Sequence, residues 1–217
     1  MALRAGAGKV GTLMASDEFN RWEGRFAVED YVFGTAPNAF LSSCRDILPK
    51  QGRALSIADG EGRNGVFLAE CGLSVLSVDF SPAAQGKAQR LAAARGVTIE
   101  TQTADLLTWD WPGDFDVIAG IFFQFVEADE RPRIFQAIRD ALKPGGLLLI
   151  EGYRPKQLIY KTGGPSRADN LYTHELLEAA FGDFDNLSIR EHDSEIAEGS
   201  GHVGMSALID LIGWKPK

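Results

Sequence analysis

The feature that most constrains the fold is the segment from Leu55 to Gly65, where an apolar run breaks into a glycine-rich turn. Such a turn, between a buried strand and a helix, is where α/β proteins bring their backbone close to a nucleotide-like ligand. Its glycines at 60, 62 and 65 fit the G-x-G-x-x-G pattern of dinucleotide-binding proteins. However, Asp59 and Glu61 lie inside the turn, and their carboxylates would repel a pyrophosphate at the helix N-terminus. The turn therefore predicts an α/β fold and makes a dinucleotide a poor fit.

Strand-like and helix-like segments alternate after about residue 50. The predicted strands are Arg53–Ala58, Ser74–Asp79, Val97–Thr103, Phe115–Ile121 and Gly146–Tyr153, and the predicted helices are Asn64–Cys71, Pro82–Arg95 and Glu127–Leu142. The middle helix opens with Ser81 as its N-cap and Pro82 at its first position. Strands that alternate with helices predict a parallel sheet covered on both faces.

The two ends of the chain differ from this pattern. After a predicted helix at Thr173–Phe181, the segments Leu187–Ala197 and Val203–Ile212 are predicted strands joined by five residues, a connection that permits only antiparallel pairing. At the other end, Asp17–Trp22 and Asn38–Leu48 are predicted helices of an N-terminal cap. We expect a disordered tail over residues 1–15, with Met1 or Met14 as the natural start. Residues 16–217 are predicted to form a single domain, with the cap at 16–50 and the core at 51–217.

Composition limits the possible partners. The chain has 217 residues and a formal net charge of −8, and it has no cluster of Lys and Arg, so we expect no binding to nucleic acid. No apolar run approaches the roughly 18 residues of a membrane span, so no membrane partner is expected. Cys44 and Cys71 are the two cysteines and have no metal-ligand or redox spacing, which predicts reduced thiols in a cytoplasmic protein and no metal site.

Two ligands compete for the glycine turn. In both alignments Asp79 ends the second strand, where its carboxylate can accept hydrogen bonds from ribose hydroxyls. NAD would bring two phosphate charges to the turn, whereas S-adenosylmethionine brings a sulfonium, an ammonium and one carboxylate, which suit Asp59 and Glu61. A dehydrogenase would also usually add a substrate domain, but this chain ends with a hairpin. The remaining alternative is a tight strand-to-helix turn without a ligand.

Five landmarks in order make the chain similar to a known family. They are the turn at 55–65, Val78-Asp79-Phe80-Ser81, Ala104-Asp105-Leu106, Phe115-Asp116-Val117-Ile118 and Leu142-Lys143-Pro144-Gly145-Gly146. From about residue 20 onward the chain resembles class I S-adenosylmethionine-dependent methyltransferases. Two further segments, 60–64 and 33–38, resemble the small bacterial enzymes akin to tellurite-resistance and thiopurine methyltransferases. The resemblance implies a doubly wound, seven-stranded, mostly parallel α/β sheet of order 3-2-1-4-5-7-6, with the last strand antiparallel.

The chain departs from the family at two positions. The acidic residue that the family has in the first strand is Ser56 here, and the family's first glycine is Ala58. That acid usually helps to organise the methionyl end of the cofactor. We hypothesise that Asp59 takes its place.

Roles for the other cofactor residues follow from the resemblance. Gly60 and Gly62 allow close backbone approach, because a Cβ there would collide with the ligand, and Gly65 is interpreted as incidental. The resemblance implies that Asp79 binds the ribose diol, that Phe80 packs beside the adenine, and that Asp105 with Leu106 contacts the adenine edge. Asp105 has an alternative interpretation as a helix N-cap. The remaining implied contacts are Ile121 and Phe122 near the transferred methyl group and Tyr31 closing over the cofactor from the cap.

The acceptor end is less specified. Phe122 and Phe123 are consecutive and cannot both face inward, so one of them is expected to line a pocket. His202, in the terminal hairpin turn, is a candidate polar group or base. The other candidates for substrate contact are Phe123, Tyr153, Arg154 and Arg25.

Methyl transfer from a sulfonium is an in-line displacement that needs alignment more than an acid–base pair, so no catalytic residue is assigned. The sequence thus predicts methyl transfer from S-adenosylmethionine to a small molecule. An NAD(P)-dependent oxidoreductase and a non-catalytic module that binds S-adenosylmethionine remain the alternatives. The acceptor and the oligomeric state are left open.

Overall fold

The computed structural model describes residues 17–217, so the predicted tail and the choice between Met1 and Met14 lie outside the described residues. Its centre is a seven-stranded sheet of order β3-β2-β1-β4-β5-β7-β6, which confirms the predicted order. The strands are β1 (Arg53–Ile57), β2 (Ser74–Asp79), β3 (Glu100–Thr103), β4 (Phe115–Ile121), β5 (Leu142–Tyr153), β6 (Asp185–Glu198) and β7 (His202–Trp214). The first five strands pair in parallel, and β7 is antiparallel to both β5 and β6.

Seven α-helices accompany the sheet in the described part of the chain. They are α1 (Asp17–Phe26), α2 (Ala39–Ser43), α3 (Arg63–Glu70), α4 (Pro82–Ala94), α5 (Arg131–Ala141), α6 (Gln157–Tyr160) and α7 (His174–Phe181), with short 3₁₀ turns at Arg45–Ile47 and Ala168–Asn170. The helix α4 begins as predicted, because the Ser81 hydroxyl accepts a hydrogen bond from the Ala84 N–H and Pro82 occupies the first turn.

Both faces of the sheet are buried, as a doubly wound fold requires. Alternate residues of one strand enter different cores: Leu55 packs with Ile118 on one face, whereas Ala54 packs with Val117 on the other. Covered faces leave the carboxyl edge of the parallel strands as the place where loops can build a binding site.

Several boundaries differ from the predicted ones. The helix predicted over Glu127–Leu142 is α5, which begins at Arg131. Strand β5 begins at Leu142, which pairs with Phe115 before the register shifts at Val117. Lys143–Gly146 therefore lies within an irregular strand and does not separate helix from strand. The predicted helix Asn38–Leu48 is broken into α2 and a 3₁₀ turn, and Asn38 is its N-cap, accepting a hydrogen bond from the Leu41 N–H. Strand β3 starts at Glu100, three residues later than predicted.

The hairpin of β6 and β7 extends beyond the carboxyl edge of the sheet. Its strands have 14 and 13 residues, and β7 pairs with β5 only from Leu208 onward. The free end of the hairpin reaches the N-terminal segment, where the Gly201 N–H donates to the Val32 carbonyl at 2.9 Å. The cap and the hairpin tip thus enclose the edge at which the glycine turn lies.

Candidate functional site

The glycine turn between β1 and α3 has a left-handed backbone at Ala58, Gly60 and Gly62, with φ of +50°, +56° and +86°. These angles suit glycine and strain alanine. A Cβ on Gly60 would stand 3.4 Å from the Phe26 ring, in ordinary contact, whereas one on Gly62 would overlap the Cβ of Ala88. The small size of Gly62 is thus required by packing against α4, and its expected contact with the ligand stays a prediction.

Asp59 anchors the turn from beneath. Its carboxylate accepts hydrogen bonds from the Ser56 and Ser77 hydroxyls at 2.8 and 2.7 Å and from the Gly65 N–H at 3.1 Å. Burial raises the pKa of Asp59 to about 6, and these hydrogen bonds oppose the rise. A Cβ on Gly65 would overlap the Asp59 carboxylate. Gly65 does not line the cleft, but its lack of a side chain is needed for packing, because it lets the backbone approach Asp59.

Glu61 points away from the turn's open side. Its carboxylate accepts hydrogen bonds from the Val32 and Phe33 N–H groups at 3.1 and 3.2 Å and pairs with Lys87 at 2.7 Å. It does not line the cleft described below. The expectation that Glu61 favours a cationic ligand is therefore wrong, because Lys87 already neutralises its charge.

Asp79 ends β2 directly beside the turn. Its two oxygens accept the N–H groups of Gly60 and Ser81, each at 2.9 Å. Burial raises the pKa of Asp79 to about 6, and the neighbouring Asp59 carboxylate adds to the rise. Because a carboxylate has about four acceptor positions, Asp79 retains capacity for two further donors from a ligand.

A cleft opens over the turn and the ends of the parallel strands. It contains eight of the ten residues predicted to bind a cofactor: Asp59, Gly60, Asp79, Phe80, Asp105, Leu106, Ile121 and Phe122. The other two, Gly62 and Tyr31, do not line it; the Tyr31 hydroxyl instead donates to the Lys87 carbonyl at 3.1 Å. The Asp105 carboxylate accepts the Leu107 N–H at 2.9 Å, so it caps the following turn while lining the cleft. Whether these residues bind a cofactor stays a prediction.

His202 forms the other end of the cleft among aromatic rings. Its ring centroid lies 4.5 Å from that of Phe33 and 4.7 Å from that of Phe122. Burial lowers the pKa of His202, and the nearby Glu198 carboxylate opposes this effect. The Glu198 carboxylate lies 3.5 Å from Nδ1 of His202 and pairs with Arg63 at 2.6 Å. The imidazole is therefore neutral near pH 7 and held close to a carboxylate.

The other acceptor-end candidates are distributed differently. Tyr153 stacks behind Phe122 with ring centroids 4.7 Å apart, and the Arg25 guanidinium lies 4.9 Å from the Phe33 ring. Phe123 is buried in the core beside Phe135 and Tyr172, and Arg154 pairs with Asp193 and Glu191 on the hairpin. None of these four residues lines the cleft, so among the acceptor-end candidates in the described chain only His202 does. The roles of the other four stay predictions. Phe122 is the member of its pair that faces the cleft, since its φ of +56° interrupts the strand alternation.

Several cleft residues were missed from the sequence. They are Trp22, Phe26, Phe33, Ala58, Arg63, Asn64, Ala104 and Phe125. A signal existed for some of them: Trp22 and Phe26 share one face of a helix at i, i+4 spacing, and Arg63 with Asn64 follows the glycine turn. Arg63 is the one Lys or Arg that lines the cleft in the described chain, and Glu198 pairs with it. The lining therefore offers carboxylates and apolar surface but no unpaired cation for a pyrophosphate.

No helix within residues 17–217 combines the length and the apolar character needed to cross a membrane.

Comparisons with known proteins connect this cleft to a family. Residues 54–146 match a family model described as a methyltransferase domain. The chain is 31% identical over 99 residues to hemagglutinin 1 of Eikenella corrodens, covering 45% of this chain and 33% of that protein. It is 30% identical over 99 residues to carboxy-S-adenosyl-L-methionine synthase of Nautilia profundicola, covering 43% of this chain and 42% of that protein. The chain spans less than half the length of either of these curated relatives.

Solved structures extend the likeness to the whole fold. A structure from work on the conversion of a disulfide bond into a thioacetal group during echinomycin biosynthesis superposes with a TM-score of 0.72 at 18% identity, over 93% of this chain and 92% of that one. TehB from Haemophilus influenzae superposes with a TM-score of 0.69 at 16% identity, over 91% of this chain and 67% of that one. These likenesses show the fold. The segment that matches the family model contains the glycine turn, Asp79 and Asp105.

Proposed function

Since the chain carries a class I S-adenosylmethionine-dependent methyltransferase domain, we propose that it transfers the methyl group of this cofactor to a small-molecule acceptor. One observation carries the proposal: a single cleft joins a buried carboxylate beside the glycine turn to a neutral imidazole among aromatic rings. The first end suits the nucleoside of the cofactor and the second suits an acceptor.

The residues of the first end fit S-adenosylmethionine. Asp79 has free acceptor positions for both ribose hydroxyls, and Gly60 leaves the backbone bare beside it. Phe80, Leu106 and Ile121 give an apolar surface for the adenine. Carboxylates suit the sulfonium and ammonium of this cofactor and repel the two phosphates of NAD(P), so the oxidoreductase alternative is disfavoured.

The residues of the second end would align the acceptor and exclude water. Bound S-adenosylmethionine would supply a methyl group on a positively charged sulfur, and this sulfur is the leaving group when the acceptor takes the methyl group by in-line displacement. Such a reaction gains from fixed orientation in a water-poor site. The Phe122 N–H donates to the Glu151 carbonyl at 2.8 Å, which fixes the backbone that turns this ring toward the cleft. Phe33 and Phe26 add apolar walls from the cap.

We assign His202 the role of proton acceptor for a hydroxyl or amine substrate. Its lowered pKa keeps a lone pair available near pH 7, and Glu198 would stabilise the imidazolium that forms. A thiolate acceptor needs no such base. The solved structure linked to echinomycin biosynthesis concerns sulfur chemistry, which supports including thiols among the acceptors tested.

Arg25 stays a candidate contact for an anionic acceptor. Its guanidinium lies 5.0 Å from the Trp22 ring and 4.9 Å from the Phe33 ring, and burial lowers its pKa. The net charge of −8 supports a small-molecule acceptor over a nucleic acid.

Two measurements test the function. Thermal-shift assays should show stabilisation by S-adenosylmethionine and S-adenosylhomocysteine but not by NAD or NADP. Transfer of a tritium-labelled methyl group should then be followed over a panel of thiols, phenols and amines. Stabilisation by NAD alone would contradict the proposal, and binding without turnover across the panel would favour the non-catalytic module.

The role of His202 has its own test. The His202→Gln variant should lower kcat for phenols and amines by about 100-fold or more while leaving the affinity for S-adenosylhomocysteine unchanged. His174→Gln, at an exposed position on α7, is the matched control and should behave as wild type. Equal kcat values for the His202 variant and wild type would remove the base assignment.

A further inference from the structure

A second group of polar side chains lies on the sheet outside the cleft. Glu151 of β5 and Asp210 of β7 are direct cross-strand partners, and their residues are only 3% and 4% exposed. Nε2 of His192, on the edge strand β6, lies 3.1 Å from Oδ2 of Asp210. One potential ligand atom from each of the three residues lies within 4.8 Å of the others. None of the three lines the cleft.

One buried atom of this group has no partner. Oδ1 of Asp210 is buried and has no hydrogen-bond partner among the described residues, and Nε2 of His192, also buried, has only its ion-pair contact with Oδ2 of Asp210. Arg190 reaches Oδ2 of Asp210 at 3.1 Å, but its side chain is 68% exposed, so water weakens that pair. The Glu151 carboxylate accepts a hydrogen bond from the Asn38 side-chain amide at 2.5 Å, and this amide carries no charge. Two facing carboxylates that are both buried and ionised lower the stability of the fold unless a cation or a proton lies between them.

We propose that Glu151, His192 and Asp210 bind a divalent transition-metal cation, with Zn²⁺ as the probe. One imidazole nitrogen and two carboxylate oxygens, with a fourth position open to water, form a common ligand set for this ion. Bond lengths near 2.0–2.2 Å would require the three atoms, which lie within 4.8 Å of one another, to move inward to about 3.4 Å apart around the cation.

The surroundings of His192 match what a metal ligand needs. Nδ1 of His192 lies 2.8 Å from the Ser194 hydroxyl. If Nδ1 carries the proton and donates it to Ser194, the lone pair of Nε2 is left for the cation. The His192 side chain is 21% exposed, which provides an entry path from solvent. The cation would supply the charge that the buried pair Glu151 and Asp210 lacks.

The site is connected to the cleft by one residue. The Asn38 side-chain amide donates to Glu151 at 2.5 Å and to Glu198 at 3.1 Å. Glu198 in turn pairs with Arg63, a cleft residue. A cation held by Glu151 would therefore fix the side chain that positions Glu198, without itself touching the cleft.

Zinc affinity tests the proposal without any use of methyl transfer. Chelator-treated protein is titrated with ZnCl₂ by calorimetry, and the absorption spectrum of the Co²⁺-loaded protein reports the ligand type. We expect one site per chain with nitrogen and oxygen ligands and no thiolate charge-transfer band. His192→Ala and Asp210→Asn should each weaken binding by at least about tenfold. His174→Ala, which removes an exposed imidazole from α7, should bind as wild type.

Three results would overturn the site. These are equal zinc affinity in wild type and His192→Ala, a thiolate spectrum from Cys44 or Cys71, and no binding by the wild type. Circular dichroism verifies that each variant is folded, and the near-isosteric Glu151→Gln replaces any variant that is not. A variant Asp210→Asn with a higher Tm and unchanged zinc affinity would identify the pair as carboxyls that share a proton, and would also refute the metal site.

Discussion

Lys87 Nζ and Glu61 Oε1 lie 2.7 Å apart, and both side chains are 2% exposed. Lys87 also donates to the Asp30 carbonyl at 2.6 Å, and Glu61 accepts the Val32 and Phe33 N–H groups. One buried ion pair thus joins α4, the glycine turn and the N-terminal cap. The cap that carries Phe26 and Phe33 into the cleft is held in place by it.

Lys87→Met should destabilise the protein strongly. It would leave the Glu61 carboxylate buried without its cation, which costs about 3–5 kcal/mol in the free energy of unfolding. Urea denaturation measures the loss. Arg21→Met is the control, because Arg21 and Glu18 form an exposed pair worth under about 1 kcal/mol. Similar losses in the free energy of unfolding of the two variants would show that the buried pair stabilises the fold no more than the exposed pair does.

Gly65→Ala should also lower the free energy of unfolding, by about 1–3 kcal/mol, because its Cβ would overlap the Asp59 carboxylate. Gly24→Ala is the matched control in a helix. A Cβ there meets nothing within 4 Å, and alanine is favoured in helices by up to about 1 kcal/mol. Thermal denaturation should rank Gly65→Ala below wild type and Gly24→Ala at or above it. A wild-type Tm for Gly65→Ala would mean that Asp59 moves aside at no cost.

Asp79→Ala should reduce the affinity for S-adenosylhomocysteine by on the order of 2 kcal/mol or more, about 30-fold, because two charge-assisted hydrogen bonds are removed. Calorimetry measures the Kd. Asp183→Ala, which removes a carboxylate paired with Arg139 outside the cleft, should leave the Kd unchanged. A wild-type Kd for Asp79→Ala would refute the ribose assignment.

Cofactor affinity should depend on pH through Asp79. Burial raises its pKa from 3.8 to about 6, and the carboxylate form is the one that accepts the ribose hydroxyls. Affinity for S-adenosylhomocysteine is therefore near its maximum well above pH 6, is about halved at pH 6, and falls further at lower pH, approaching about tenfold per pH unit. Calorimetry between about pH 5 and 8 measures this slope, which should shrink in Asp79→Asn. A flat profile for the wild-type protein would contradict the assignment.

The parallel sheet and the position of the cleft could be predicted because local sequence signals determine them, whereas the strand order was implied by the family resemblance. The alternation of strands with helices fixes the parallel sheet, and the glycine turn marks its carboxyl edge. His202 was expected at that edge because a five-residue hairpin connection must return beside the strand end, and it does line the cleft.

The side-chain directions within the site could not be predicted, because distant residues decide them. Glu61 turns away from the ligand side because Lys87 lies 26 residues further along the chain. Gly65 matters because Asp59 folds back under the turn. Phe123 enters the core and Phe122 the cleft because the backbone at Phe122 adopts a positive φ, which the strand pattern does not reveal.

The contact between the hairpin tip and the cap has a consequence for how the cleft is made. The Ser200 hydroxyl reaches the Val32 carbonyl across 168 positions of the chain, and Gly201 binds the same carbonyl. During synthesis the cap leaves the ribosome well before the hairpin tip that completes its pocket. The sheet centre can therefore assemble before the cleft is closed, and the cap must wait for the hairpin to emerge before its walls are complete.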